Sequence, residues 1–108
     1  MKNVEPRLTP AIFLYLAREL VRRGMGPRWM ITSAQCRAAR GLIAWSQQDL
    51  ATNASIGVVT VHQLEAGTSQ PRRATMDVIK RAFEAAGVEF IDENGGGAGV
   101  RLRRSRAP

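Results

Sequence analysis

Residues 47–64, QQDLATNASIGVVTVHQL, decide the fold of this chain. Ser46 stands just before the stretch and Asp49 follows three residues later, which is the spacing of a capping box and predicts that a helix begins here. A second helix is predicted over about residues 57–65, because Gly67 then supplies a glycine stop. The stretch therefore predicts two short helices joined by a tight turn.

Residues 47–64 resemble the helix-turn-helix of the phage repressor/Cro and xenobiotic-response-element (Xre) regulator family. The resemblance covers about residues 33–86 and includes Arg37, Arg40, Trp45-Ser46-Gln47, Leu64-Glu65-Ala66-Gly67 and Pro71. It implies that five apolar side chains are buried where the helices cross, with the small Ala51 at the closest approach: Leu50, Ala54, Ile56, Val61 and Leu64. The chain departs from the family at Ser55, which replaces the usual turn glycine. A left-handed residue other than glycine costs about 1–2 kcal/mol, so the turn is expected to be either strained or slightly different from that of the family.

The resemblance also implies that the second helix enters the major groove of DNA with its first residues toward the base edges. The matching positions are Val58, Val59 and Gln63, with Thr60 nearby and His62 beside them, either near DNA or merely solvated. Because two of these residues are valines, few hydrogen bonds to bases are expected. The alternative is that the valines pack against another part of the chain or against a partner.

Further positions acquire roles only through the resemblance. Gln47 begins the first helix where family members contact a phosphate, and Arg72 and Arg73 lie in the loop that borders the DNA backbone. Arg40 and Glu65 match a partly buried ion pair that ties the preceding helix to the end of the second one. The alternative for this pair is two independent surface charges, which contribute little to stability.

The charge balance favours a polyanionic partner. The 108 residues include 16 Lys+Arg and 9 Asp+Glu, a net charge of +7, and every cation except Lys2 and Lys80 is arginine. Arginine carries a planar fork of donors suited to phosphate and guanine. The composition thus indicates nucleic acid, and the alternative is a solvated basic surface.

Other classes of site find little support in the sequence. Cys36 is the single cysteine and His62 the single histidine, so neither a disulfide nor a metal site is expected, and Cys36 is predicted to be a small buried residue. We see no catalytic triad, paired carboxylates or phosphate loop, and we expect neither enzymatic activity nor a cofactor. Without a signal peptide or an apolar run of about 18–20 residues, the expected location is the cytoplasm, on the nucleoid, with no membrane contact.

Residues 1–30 are predicted to be an N-terminal extension with an amphipathic helix. The helix would run from Pro10 to about Arg23, with Thr9 as its N-cap and Gly24 as its stop. Its apolar stripe, which must be buried somewhere, consists of Ile12, Phe13, Leu16, Ala17, Leu20 and Val21. The extension is either a genuine part of the protein or the product of an over-called start codon, with Met30 as the alternative start.

Residues 31–87 are predicted to form the helix-turn-helix domain, and residues 88–108 a β-hairpin with a basic tail. In the domain, one helix starts at Thr32 or Ser33 and a longer one spans about residues 75–86. The predicted strands are residues 88–91 and 100–103, with Phe90 and Leu102 on one apolar face that covers the helices or a second subunit. Residues 104–108 are expected to be disordered.

The sequence as a whole predicts a mainly α protein. It is expected to be a four- to five-helix repressor-like DNA-binding domain with an extra N-terminal helix and a short C-terminal β-hairpin. The expected function is sequence-specific transcriptional regulation on double-stranded DNA, by a homodimer that reads a two-fold operator with the helix 57–65. The alternative is an antitoxin-like interaction protein that neutralises a toxin-like partner and uses DNA binding for autoregulation.

Overall fold

The computed structural model describes residues 10–22 and 29–104 and is mainly helical. Within these ranges the elements in chain order are α1 (Pro10–Arg22), α2 (Ser33–Ile43), α3 (Gln47–Ala54), α4 (Val58–Ala66), α5 (Arg73–Ala85), β1 (Val88–Ile91) and β2 (Gly99–Leu102). No helix in the described ranges has the length and apolar character needed to cross a membrane.

Two capping boxes set where α2 and α3 begin. The Ser46 hydroxyl accepts the Asp49 amide at 3.0 Å and the Asp49 carboxylate accepts the Ser46 amide at 2.9 Å, as the sequence predicted. The same exchange joins Thr32 and Gln35 at the start of α2, at 2.9 and 2.8 Å. Both boxes satisfy backbone donors that have no partner inside the helix.

Left-handed residues end the first helices of the domain. Ser55, which ends α3, has φ 56° and ψ 45°, so of the two turns that the sequence left open, the left-handed one is present. Ala44 ends α2 in the same region, with φ 54° and ψ 37°, although no glycine, asparagine or aspartate marks the position. Each cap donates its amide to two carbonyls of the preceding turn.

The core lies where α2, α3, α4, α5 and β1 meet. Its buried apolar members are Ile31, Cys36, Ala39, Leu50, Ala51, Ala54, Val61, Leu64, Met76, Ile79, Phe83 and Val88. Phe83 sits at the centre of an aromatic group, stacked on Trp45 at 5.7 Å between ring centroids and edge-on to Phe90 at 5.8 Å. These contacts attach the hairpin to the helices.

α5 begins earlier than the sequence predicted. Its first residue is Arg73 rather than Thr75, and Arg72 is its N-cap, with no side-chain hydrogen bond to the helix. The carbonyl of Arg72 accepts the Met76 amide at 2.9 Å, so the helix starts directly after the extended residue that follows Pro71. Arg73 therefore belongs to a helix and not to the loop in which it was expected.

The hairpin pairs Val88 with Leu102 and Phe90 with Val100 in an antiparallel register. Val88 is buried, and Phe90 and Val100 pack against the core, but Leu102 is 52% exposed. The face that Phe90 and Leu102 were predicted to share is thus covered by the helices at Phe90 but not at Leu102, the last residue of its strand. The alternative cover, a second subunit, stays a prediction. β2 also begins at Gly99, where the carbonyl accepts the Gln35 side-chain amide at 3.1 Å.

α1 presents apolar side chains to solvent. Phe13 is 65% exposed, and Ile12, Tyr15 and Leu16 are also exposed. The described members of the stripe are thus not covered within one chain, and the expectation that the stripe is buried somewhere stays a prediction. Several expectations lie outside what the structure describes: the Thr9 cap, the Gly24 stop, the side chains of Ala17, Leu20 and Val21, and the disorder of residues 105–108.

Candidate nucleic-acid interface

α4 divides into a buried side and an exposed side. Val61 and Leu64 are buried against the other helices. The opposite side, here called the exposed α4 face, consists of Val58, Val59, His62 and Gln63. Val59 is 62% exposed, so packing within the described part of the chain leaves most of it uncovered, whereas Val58 is 37% exposed and more than half covered.

The start of α4 is electrically positive and has no side-chain cap. Gly57 is the N-cap and has no side chain to bond the first amides of the helix, and the first turn contains no acidic residue. The backbone N–H groups of a helix start carry partial positive charge, which attracts anions within about one turn. Thr60, the third helical residue, is half-buried, and its amide donates to the Gly57 carbonyl at 3.1 Å.

The segment between α4 and α5 borders the exposed α4 face. The Ser69 hydroxyl donates to the Gln63 side-chain oxygen at 3.4 Å, which connects the segment to this face. Arg72 and Arg73 follow at the start of α5, and both are exposed. The Arg73 guanidinium also lies 5.8 Å from the ring centroid of Trp29, a cation–π distance that orients it.

Behind this surface, Glu65 binds Arg40 with two hydrogen bonds. Arg40 Nε donates to Oε2 at 2.6 Å and Nη2 donates to Oε1 at 2.7 Å, while Nη1 donates to the Trp45 carbonyl at 2.9 Å. The Glu65 side chain is 4% exposed and that of Arg40 21%. The pair connects α2 to the end of α4, which keeps the only acidic side chain of α4 away from the exposed face.

Three further residues bond Glu65, and together with the ion pair they form the Glu65 cluster. Gln47 donates its side-chain amide to Oε1 at 3.2 Å, and the Cys36 thiol donates to Oε2 at 3.3 Å. Arg37 Nη1 donates to the backbone carbonyl of Glu65 at 2.6 Å. Gln47, expected at a phosphate, thus has a partner inside the protein. The contacts of Cys36 and Arg37 with Glu65 were not predicted from the sequence.

The bonds within the cluster set its charge state. Burial raises the pKa of the Glu65 carboxyl, but hydrogen bonds from Arg40, Gln47 and Cys36 more than offset this, so the pKa lies below its ordinary value. Burial, reinforced by the nearby Glu65 carboxylate, raises the pKa of the Cys36 thiol far above its ordinary value. The cluster therefore holds an ionised carboxylate and a protonated thiol at neutral pH, and Cys36 is buried as predicted.

The predicted positions fall into two groups in space. Val58, Val59, His62 and Gln63 lie on the exposed α4 face, and Arg72 and Arg73 lie at the start of the next helix. Arg40, Gln47 and Glu65 lie behind them in the Glu65 cluster. Among the described residues, no group of three His, Cys, Asp or Glu side chains is placed to hold a metal ion.

The chain matches no protein-family model, and a comparison with curated proteins returns no match.

Proposed function

We propose that the protein is a sequence-specific DNA-binding transcriptional regulator that places α4 in the major groove. The observation that carries this proposal is the exposed α4 face, a helix side with no acidic residue, a positive helix start and two arginines at the next helix start. A helix fits the major groove, and its first residues are those that meet base edges in helix-turn-helix proteins. A net charge of +7 supplies the attraction to phosphate.

The proposed regulator acts as a homodimer on a two-fold operator. Two copies of α4 would then read half-sites about 34 Å apart, one helical turn of DNA. Such a protein works on the nucleoid of the cytoplasm and needs neither a catalytic group nor a cofactor. Whether the protein represses or activates transcription depends on where the operator lies relative to a promoter.

The test is enrichment from a pool of random-sequence duplexes with the full chain, followed by binding titrations on the enriched and on scrambled DNA. We expect enrichment of a two-fold sequence, and binding tighter than to scrambled DNA by at least about 10³-fold, the lower range for specific DNA-binding proteins. Val59→Glu should abolish both the enrichment and the tighter binding, because it places a carboxylate on the exposed α4 face.

Val78→Glu is the matched control, since Val78 has a 37% exposed side chain on α5 and lies outside the exposed α4 face. Val78→Glu should enrich the same sequence and bind it as tightly as wild type does. Failure to enrich any sequence, or equal binding by wild type and Val59→Glu, would overturn the proposal.

A second candidate function is neutralisation of a partner protein, with DNA binding as autoregulation. The observation in its favour is the exposed apolar surface of α1, where Phe13, Tyr15 and Leu16 face solvent. A small toxin-like reading frame beside the gene would favour this function. In co-expression with that neighbour, the double variant Phe13→Ser/Leu16→Ser should lose protection while it still binds the selected DNA. Retained protection would exclude α1 as the neutralising surface.

A further inference from the structure

The first turn of α4 is built from residues that helix formation does not favour. Val58 and Val59 are β-branched, which restricts their side chains in a helix, and Gly57 adds no cap. Both valines keep a substantial part of their apolar surface in water, although Val61 in the same helix is fully buried. Neither local helix stability nor packing within the described chain therefore accounts for two exposed valines at this helix start.

The side chains of Val58 and Val59 offer a ligand only methyl groups. The valine side chains have no hydrogen-bond donor or acceptor. Thr60 is half-buried, and the polar His62 and Gln63 lie one turn farther along the helix. In the major groove, the apolar feature of a base edge is the methyl group at C5 of thymine. 5-Methylcytosine carries a methyl group on the same ring carbon.

The charges around the valines favour DNA over an apolar protein groove as the occupant. The exposed α4 face has no acidic side chain, because Glu65 points inward to Arg40. Arg72 and Arg73 are exposed at the start of α5, which follows the segment that Ser69 connects to this face. In DNA, a methylated base edge is flanked by phosphates. A protein surface with arginines next to apolar side chains is complementary to it.

We propose that Val58 and Val59 read the C5 methyl groups of pyrimidines in the major groove. The inference rests on the proposed function and specifies the chemistry by which the same surface selects its DNA. The operator then has a C5-methylated pyrimidine, thymine or 5-methylcytosine, opposite Val59 in each half-site. Loss of that one methyl group weakens binding by about four-fold, the effect of removing one buried carbon from an apolar contact.

The experiment uses the full chain and a duplex enriched from the random pool. Thymines of one half-site are replaced one at a time by uracil, which removes the methyl group and leaves the pairing edge unchanged. We expect one or two positions where uracil weakens binding about four-fold. Val59→Ala should remove this difference between thymine and uracil, while Val78→Ala, the control on α5, should keep it.

A second arm distinguishes the two sources of the methyl group. At a sensitive position, the T·A pair is replaced by C·G with either cytosine or 5-methylcytosine, and a separate enrichment uses a pool that contains 5-methylcytosine throughout. Methyl reading predicts that 5-methylcytosine binds about four-fold better than cytosine there in wild type but not in Val59→Ala. New enrichment of C·G pairs only in the methylated pool would identify 5-methylcytosine as the preferred source.

The outcomes separate this inference from the proposed function. Tight, selective binding with no loss on uracil substitution overturns methyl reading and leaves the DNA-binding function in place. An equal loss of affinity on uracil substitution in wild type and Val59→Ala also overturns methyl reading by Val59, because another part of the protein then contacts the methyl group. Absence of any enriched sequence overturns both methyl reading and the DNA-binding function. The partner of the two valines would then be sought in an apolar groove of another protein.

Discussion

Glu65 is the residue on which most of the described polar contacts between helices converge. Its carboxylate accepts bonds from Arg40, Gln47 and Cys36, which belong to α2 and α3, and its backbone carbonyl accepts from Arg37. Loss of a donor from a buried, paired carboxylate is strongly destabilising, because it leaves the charge uncompensated. The cluster therefore acts as an attachment that holds α4 in one orientation, with its exposed face outward.

Removal of Arg40 should be strongly destabilising. Arg40→Ala leaves Glu65 buried without its ion-pair partner, and we expect the free energy of unfolding to fall by about 3–5 kcal/mol. The control is Arg81→Ala, which breaks the exposed pair with Asp77 on α5 and should cost about 0.3–0.5 kcal/mol. Urea unfolding followed by circular dichroism measures both values. Equal midpoints for the two variants would contradict a stabilising role for the Arg40–Glu65 pair.

The lowered pKa of Glu65 predicts a specific acid sensitivity. A carboxyl whose pKa is lower in the folded chain than in the unfolded chain stabilises the fold above its unfolded pKa, here taken as 4.5. That contribution is lost as the pH falls below about 4.5 and through the folded pKa. The difference in unfolding free energy between wild type and Glu65→Gln should therefore shrink over this range. A difference that stays constant between pH 6 and pH 3 would contradict the prediction.

Arg72 should contribute to DNA affinity without contributing to selectivity. If its exposed guanidinium neutralises one phosphate, Arg72→Ala should weaken binding to all sequences alike and flatten the salt dependence by about one unit. Gln63→Ala is the contrasting variant, since loss of a base contact should relax preference at one base pair and leave the salt slope unchanged. Titrations at several salt concentrations on enriched and scrambled DNA separate the two effects. If the salt dependence of DNA binding were the same for Arg72→Ala as for wild type, a phosphate contact by Arg72 would be excluded.

At the scale of elements, the turn between α3 and α4 stores strain that a glycine would relieve. Ser55 has φ 56°, a conformation that costs a residue with a side chain about 1–2 kcal/mol. Ser55→Gly should stabilise the protein, by less than this amount, because glycine also gains entropy in the unfolded chain. Thr52→Gly, inside α3, is the control and should destabilise it by about 0.3 kcal/mol, the difference between the helix propensities of threonine and glycine. A lower thermal midpoint for Ser55→Gly would show that the serine side chain stabilises the turn.

Elements whose ends are set by neighbouring residues could be predicted from local patterns, and contacts between elements could not. The Arg40–Glu65 pair was expected only through the family resemblance. The Ser46–Asp49 box and the conformation of Ser55 depend on groups a few residues apart, so their signals lie in one short stretch. The start of α5 was misplaced because Arg72 caps it without a side-chain bond. Arg37 and Glu65 meet across 28 positions, and no local pattern encodes that meeting.

The apolar surfaces of α1 and β2 also show that a local pattern predicts the character of an element better than its contacts. Helical spacing predicted that α1 has an apolar stripe, and strand alternation predicted that Leu102 shares a face with Phe90. Periodicity tells which side of an element is apolar, but not what covers that side. In the single chain, Phe13 and Leu102 are more than half exposed. A second copy of the chain is therefore the natural candidate to cover part of this surface.

At the scale of the whole molecule, the hairpin is the part that a two-fold dimer is expected to use. Leu102 lies at the end of β2, opposite the buried Val88, and extends the apolar face of Phe90 and Val100 into solvent. An exposed strand in a two-stranded sheet also offers unpaired backbone groups to another chain. Truncation after Gly87 is expected to weaken dimers and operator affinity together, but it would also remove Val88 from the core.

A single substitution at Leu102 tests the same interface without uncovering the core. Leu102→Lys adds a charge to the apolar face of β2, and because the side chain is already 52% exposed, the fold should survive. We expect the variant to dissociate to monomers at concentrations where wild type is dimeric, and to bind a two-fold operator more weakly but a single half-site equally well. Leu42→Lys on α2, where the leucine is 39% exposed, is the control and should leave the dimer intact. Light scattering that shows unchanged dimers of Leu102→Lys would exclude this face as the interface and leave the exposed apolar surface of α1 as the alternative.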